Sequence, residues 1–217
     1  MPLSKIHLYR ITHIDNIPHI LKYGITHRNS PNANPEYRAI GDTSLIDTRS
    51  QKMKCVNNGK MDVSYGRIIL GDYIPFYFGV RMPMLFVIQR GGNLVPAALS
   101  PTDIVYIVCP LMVVVNQQEE FYFTDGHATE FNTSLFDRTC LDELPALIDW
   151  NAVKATYWGG SENLMLKARK QAEFLAKDDI LPACIRGFLC YDTHAKERLI
   201  GMGVEANRIK IWPNAYY

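Results

Sequence analysis

Hydrophobic and polar residues alternate over Ile6-His7-Leu8-Tyr9-Arg10-Ile11-Thr12, the period-two pattern of a strand with one face turned inward. Asp15-Asn16-Ile17-Pro18 follows, with capping residues and an early proline, and predicts a helix start. Ile17, Ile20 and Leu21 fall on one helical face, and Gly24 supplies a stop. Residues 25–67 are mostly polar and rich in Asn, Pro, Gly and Ser, and read as one long loop. Strands are predicted at Asp72–Phe78, Met84–Gln89, Ile104–Val108, Met112–Val115 and Glu120–Thr124. Leu144–Lys154 and Asn163–Lys170 look helical, and Ala172–Ala176 is a short strand or a helix end. Cys184–Tyr191 reads as a strand, Thr193–Met202 as a helix and Arg208–Trp212 as the last strand. The order is α+β. It lacks the regular βαβ alternation, the GxGxxG turn and the GxxxxGK[ST] loop of the common nucleotide-binding folds.

Composition changes this picture little. With 217 residues, 47% hydrophobic and 21% charged, the chain is globular and suits a single domain with a substantial core. The longest apolar run, residues 104–115, is too short and too interrupted to span a membrane. The N-terminus shows no apolar signal core, so a cytoplasmic protein is expected. Five cysteines without a CxxC pair argue for reduced thiols rather than a disulfide framework or a zinc site. The six histidines show no metal-ligand spacing, so no metal is expected.

Charge is unevenly spread. The net charge is +1, but residues 1–100 carry +6, residues 101–150 carry −8 and residues 151–217 carry +3. One basic face would attract a polyanion; a solvated surface that averages out on folding is the alternative.

Several segments, in order, together resemble the DarT family of bacterial DNA ADP-ribosyltransferase toxins. They are Leu8–Ile17, Ile40-Gly41 with Leu45–Arg49, Asp72–Phe78 with Pro83-Met84-Leu85, and Phe123-Thr124-Asp125 with His127-Ala128. Ile148-Asp149-Trp150, Gln171–Leu175 and the Trp212…Tyr216-Tyr217 end complete the series. Two departures stand out: Met82 occupies a position where the family commonly has serine, and Gly66–Tyr73 replaces a Gly-Gly-x-x-x-Asp-Tyr approach. The resemblance implies an ADP-ribosyltransferase-like fold, a split mixed sheet flanked by helices that grips NAD in a central cleft. It implies NAD as substrate, ADP-ribose transfer to a base of single-stranded DNA with thymine preferred, and a DarG-like macrodomain antitoxin as partner. On this reading residues 1–217 form one domain, residues 25–67 are its substrate and NAD loop, and the protein acts as a monomer away from membranes.

Breaking the nicotinamide–ribose bond leaves a cationic, oxocarbenium-like sugar, so the reaction needs fixed negative charge beside the ribose. The resemblance assigns this to Glu173, whose carboxylate also helps remove the thymine N3 proton; an ordinary outward-facing glutamate is the alternative. Arg49 is the second catalytic candidate, orienting Glu173 or polarising a base carbonyl, against a solvated loop charge. Arg10 can pair with pyrophosphate or ribose oxygens through its fork of donors, and Thr12 and His13 can bond ribose or nicotinamide. Asn16 binds ligand or caps the helix. Tyr77 is the stacking candidate in an aromatic run. Arg38, Lys52 and Lys54, with Tyr37 and Tyr65 interleaved, form a candidate strand-binding loop. Asp125 and His127 read as turn formers, and Trp212 with the terminal tyrosines as core. Rival acceptors are guanine, RNA, protein or water, and a non-enzymatic nucleic-acid-binding module is the rival class.

Overall fold

The first strand, β1 (His7–His13), organises the sheet. Its side chains alternate between two packed faces: Leu8 is buried in one core cluster, while Tyr9 and Ile11 pack against another. The computed structural model describes residues 1–41, 43–60, 62–91, 95 and 97–217, without the side chains of Thr43, Leu45 and Ile46. Among these, the remaining strands are β2 (Met53–Cys55), β3 (Arg67–Ile69), β4 (Ile74–Tyr77), β5 (Ile104–Pro110), β6 (Phe121–Thr124), β7 (Leu135–Phe136), β8 (Glu173–Ala176), β9 (Gly187–Cys190) and β10 (Ile209–Ile211). The helices are α1 (Ile17–Tyr23), α2 (Thr43–Gln51), α3 (Pro83–Arg90), α4 (Leu111–Gln117), α5 (Leu144–Leu147), α6 (Trp150–Lys154), α7 (Leu164–Lys170) and α8 (Thr193–Gly201).

Eight strands form one mixed sheet in the order β10-β9-β5-β1-β4-β8-β6-β7, antiparallel except for the β10–β9 pair. β1 and β5 pair over their whole length, from His7 opposite Pro110 to His13 opposite Ile104. β1 and β4, by contrast, share one register pair, Tyr9 opposite Tyr77. The sheet is therefore split between β1 and β4. The Arg10 Nη1 donates 2.8 Å to the Pro75 carbonyl across the split, giving a partner to a β4 acceptor that has left the ladder. The α+β class and the split mixed sheet agree with expectation.

Two helices occupy segments expected to be strands. Met84–Gln89 lies inside α3, where Pro83 opens the first turn, Leu85 and Ile88 share the buried face, and Gly91 closes the helix at φ 70°. Met112–Val115 lies inside α4, which buries Leu111, Val114 and Val115 at helical spacing after Pro110. Both are short unbroken apolar runs, which look alike in a strand and in a buried helix. The helix expected over Leu144–Lys154 is two helices, because Asp149 caps a new start by accepting from the Asn151 and Ala152 amides at 3.1 and 2.9 Å.

The stretch 25–67 is not structureless. Ile25 bridges to Ile180, α2 holds nine residues, and β2 pairs with β3 in a separate two-stranded hairpin. Asp42 and Met61 of this stretch lie outside the described residues. The main core packs Phe121 on Phe174 and Phe123 on Phe136 with ring centroids 5.1 and 5.0 Å apart. Each such buried ring stabilises the fold by roughly 1.5–3 kcal/mol. Tyr216 is buried and its hydroxyl lies within hydrogen-bond reach of the Ile104 and Leu189 carbonyls, and Trp212 packs against the same cluster, so these C-terminal aromatics close one part of the core.

Candidate active site

Glu173 opens β8 with its side chain 1% exposed, directly opposite Tyr77 of β4. A buried carboxylate needs donors, and two segments bring them. From the end of α2, Arg49 Nη1 lies 2.9 Å from Glu173 Oε2 and 3.2 Å from Oε1. The Ala128 amide donates 3.0 Å to Oε1. The Glu173 amide itself donates 3.0 Å to the Thr124 hydroxyl, which donates on to the Gly126 carbonyl at 2.7 Å. The Thr124–Ala128 turn is fixed further by the Ser134 amide on Asp125, 2.8 Å, and by a 2.7 Å bond between Thr129 and the His127 Nδ1. Asp125 and His127 thus hold a turn, as expected. That turn has a use the sequence did not announce: it presents the Ala128 N–H to the carboxylate.

Arg49 is oriented with one nitrogen to spare. Its Nη2 is buried and has no hydrogen-bond partner among the described residues. Leaving a guanidinium nitrogen unpaired is costly, which marks it as a donor awaiting an acceptor. Close packing fixes the backbone below it, because a Cβ on Gly71 would stand 2.6 Å from the Ser50 Cα and 3.0 Å from the Arg49 carbonyl. Tyr77 joins the group electrostatically. Burial and the negative charge of Glu173 push its hydroxyl well above the usual tyrosine value, so it stays a phenol, while Arg49 and Arg10 pull the other way.

A cleft of about 320 Å³ opens at the split of the sheet. Arg10 and Thr12 of β1, Arg49 of α2 and Ile74 and Pro75 of β4 line it, with Arg28, His19, His27 and Tyr37 on its other walls. Three arginines and no carboxylate line it among the described residues, which suits an anionic ligand with aromatic groups. A larger hollow of about 480 Å³ near Ser30 contains neither Arg49 nor Glu173, and Asp72, Asp178 and Asp179 make its wall acidic.

The other expected site residues divide. Arg10, Thr12 and Arg49 share the cleft, and Glu173 and Tyr77 stand behind Arg49. Asn16 does not line the cleft. It is buried, donating 3.0 Å to Thr12 and 2.9 Å to the Arg38 carbonyl while accepting 2.9 Å from the Arg38 amide. It fastens the loop rather than capping α1, for which it makes no side-chain bond. His13 is buried too, and its Nδ1 accepts from the Asp15 amide at 3.1 Å, the capping alternative. Burial holds its imidazole below the ordinary histidine value. Arg38 is exposed and pairs with Asp15 at 2.7 Å. Lys52 is exposed, whereas Lys54 is half-buried and bonds the Glu130 carbonyl at 2.5 Å. His27, whose Nε2 lies 2.8 Å from the Gly71 carbonyl, carried no sequence signal. No group of three or more His, Cys, Asp or Glu suited to a metal ion occurs among the described residues.

The site has close relatives. The structure described as Thermus sp. 2.9 DarT in complex with ADP-ribosylated ssDNA matches with a TM-score of 0.81 and 27% identity, covering 100% of this chain and 98% of that one. Thermus sp. 2.9 DarT in complex with NAD+ matches with a TM-score of 0.74 and 28% identity, covering 98% of each chain. A DNA ADP-ribosyl transferase of Thermus sp. (strain 2.9) is 33% identical over 195 residues, 89% of this chain and 85% of its own length. A DNA ADP-ribosyl transferase–DNA ADP-ribosyl glycohydrolase fusion protein of Thermosipho africanus is 23% identical over 193 residues, 88% of this chain and 44% of its own length. A split mixed sheet with an arginine–glutamate pair behind an arginine-lined cleft is, in this company, an NAD-dependent ADP-ribosyltransferase. The family model described as "ssDNA thymidine ADP-ribosyltransferase, DarT" matches residues 9–217, and the chain belongs to the DarT family.

Proposed function

We propose that this chain breaks the nicotinamide–ribose bond of NAD and joins the ribose C1′ to N3 of a thymine in single-stranded DNA, with Glu173 and Arg49 as its catalytic residues. The observation that carries the roles is the buried Arg49–Glu173 pair, with an Arg49 Nη2 that has no partner among the described residues. As the bond to nicotinamide breaks, positive charge develops on the ribose, and the Glu173 carboxylate is preorganised to meet it. Nicotinamide leaves with the bonding electrons as a neutral molecule. The thymine N3 proton passes to Glu173, and the freed N3 lone pair closes the new bond to C1′. Arg49 Nη2 donates to a base carbonyl, which stabilises the developing negative charge on the ring.

Arg10 and Thr12, which line the cleft, hold the pyrophosphate and ribose oxygens of NAD, and Tyr77, opposite Glu173, is the stacking group for the nicotinamide. His13 and Asn16 serve the same cofactor from below, by shaping the wall that Thr12 presents. Arg38, Lys52 and, more weakly, Lys54 attract the strand. The whole chain acts as one domain, with residues 25–67 as its ligand-facing segment. A single-stranded acceptor avoids the cost of opening a duplex.

The expected partner is a DarG-like macrodomain antitoxin that removes the modification, a pairing supported by the fusion named for the Thermosipho relative. Five free cysteines agree with a reducing cytoplasm, where the protein works as a monomer. The test is incubation with labelled NAD and oligonucleotides differing in one base, read by mass spectrometry. Addition of ADP-ribose only to strands containing thymine supports the reading; addition to thymine-free strands, or hydrolysis of NAD alone, removes it.

A further inference from the structure

The β2–β3 hairpin rises from the wall of the active site, since its two legs begin at Arg49-Ser50 and return at Gly71, where the two backbones touch. Its inner face is ordinary core: Ile68 and Val56 are buried against Leu70, Tyr73 and Leu135. Its outer face is not an ordinary solvent face. Met53 and Ile69, a cross-strand pair, are 60% and 38% exposed, and Tyr65 is 53% exposed beside a bulge in which Tyr65 and Gly66 both bond Val56. Lys52, Lys60 and Arg67 are exposed around them and make no salt bridge with any described residue. Exposed apolar and aromatic side chains ringed by unpaired cations are the features that bind a single nucleic-acid strand, by stacking and by phosphate attraction.

We propose that this outer face, Met53, Tyr65, Arg67 and Ile69 with Lys52 and Lys60, is a track for the DNA strand that flanks the modified base. The proposal rests on the chain acting on single-stranded DNA. It moves the strand contact away from Lys54, whose ammonium faces Glu130 on the inner side, and adds four residues that the sequence had not singled out: Met53, Lys60, Arg67 and Ile69. A base held at Arg49 places its neighbours at the root of the hairpin, so a short substrate occupies the site alone and a longer one reaches the track.

The test compares two oligonucleotides with one central thymine, of about 5 and about 20 nucleotides, with Tyr65→Ala, Tyr65→Phe and Arg67→Ala proteins. Binding is measured without NAD by fluorescence anisotropy across a salt series, and the KM for each strand is measured with NAD. Tyr65→Ala is expected to weaken the long strand about tenfold and Tyr65→Phe to restore it, with the short strand unchanged. Arg67→Ala is expected to lower the salt slope for the long strand by about 0.7. Unchanged long-strand binding, or equal losses for both lengths, overturns the track. If the chain binds both strands but modifies neither, the proposed reaction falls while the binding comparison still decides the track.

Discussion

Arg49 and Glu173 are separated by 124 residues in sequence and meet at 2.9 Å, with the carboxylate almost wholly buried and the arginine 15% exposed. The pair joins the end of α2 to the start of β8, so the two catalytic candidates orient one another before any ligand arrives. The carboxylate needs a cation because it is buried, and the cation keeps one nitrogen, Nη2, without a hydrogen-bond partner among the described residues.

Glu173→Gln keeps the shape and removes the charge. Transfer is expected to fall by about 10²–10³ or more in kcat while NAD binding, measured by calorimetry, changes little, because the charge acts on the cationic transition state. Full activity in this variant would remove the mechanism.

Arg49→Lys retains a positive charge and loses the planar fork. A single ammonium cannot bond Glu173 and a base carbonyl in the same geometry, so kcat is expected to drop about 10–100-fold with the KM for NAD less affected.

Gly71→Ala is a test at a distance from the chemistry. The added methyl would meet the Ser50 Cα at 2.6 Å and must push the end of α2 away from β8. Overpacking of this kind costs about 1–3 kcal/mol in denaturant unfolding, and kcat is expected to fall because Arg49 moves with the helix. A stable variant with wild-type kcat would show that Arg49 is not held from this side.

Asn16→Ala leaves the amide and carbonyl of Arg38 without their side-chain partner. A loss of about 1–3 kcal/mol is expected for the unsatisfied groups, together with a raised KM for NAD, since the loop carrying Tyr37 is fastened there. Direct ligation by Asn16 would instead give the KM effect without the stability loss.

Lys170 is 3% exposed, bonded to the Val80 and Val153 carbonyls at 3.3 and 3.0 Å, and burial beside Arg81 brings it down to about 8. The folded chain therefore releases this proton near pH 8, while the unfolded chain holds it to the ordinary lysine value. In that window the unfolded state binds more protons, so the group makes stability rise with pH, by about 1.4 kcal/mol per unit. Urea titrations from pH 7 to 10 should show this rise, relative to Lys170→Met, which lacks it. Parallel curves for the two proteins would contradict it.

Much of this architecture was legible in the sequence. β1 and β5 alternate or run apolar over enough residues to be read directly, and Gly24 marks a helix boundary by known chemistry. α3 and α4 were not legible, because four to six apolar residues in a row fit either period until Leu85 and Ile88, or Leu111 and Val115, are seen to share a buried face. Glu173 and Arg49 became visible through a resemblance, since a lone glutamate in apolar company also suits an amphipathic strand. The Ala128 N–H could not be read at all: every non-proline residue carries one, and only the turn built by Thr124 and Asp125 aims it. The side chain of Asn16 makes no capping bond to α1, because its partner, the Arg38 backbone, lies 22 residues away, a pairing that no local pattern announces.

The single rung between Tyr9 and Tyr77 has a bearing on how the molecule opens. On one side of it β1, β5, β9 and β10 form a laddered block, and on the other β4, β8, β6 and β7 form a second. Parting the two blocks there breaks few backbone bonds, so amide exchange should report two cooperative units with a weak seam between them. The arginine-lined cleft lies along that seam, and a ligand gripping both blocks would stitch them into one.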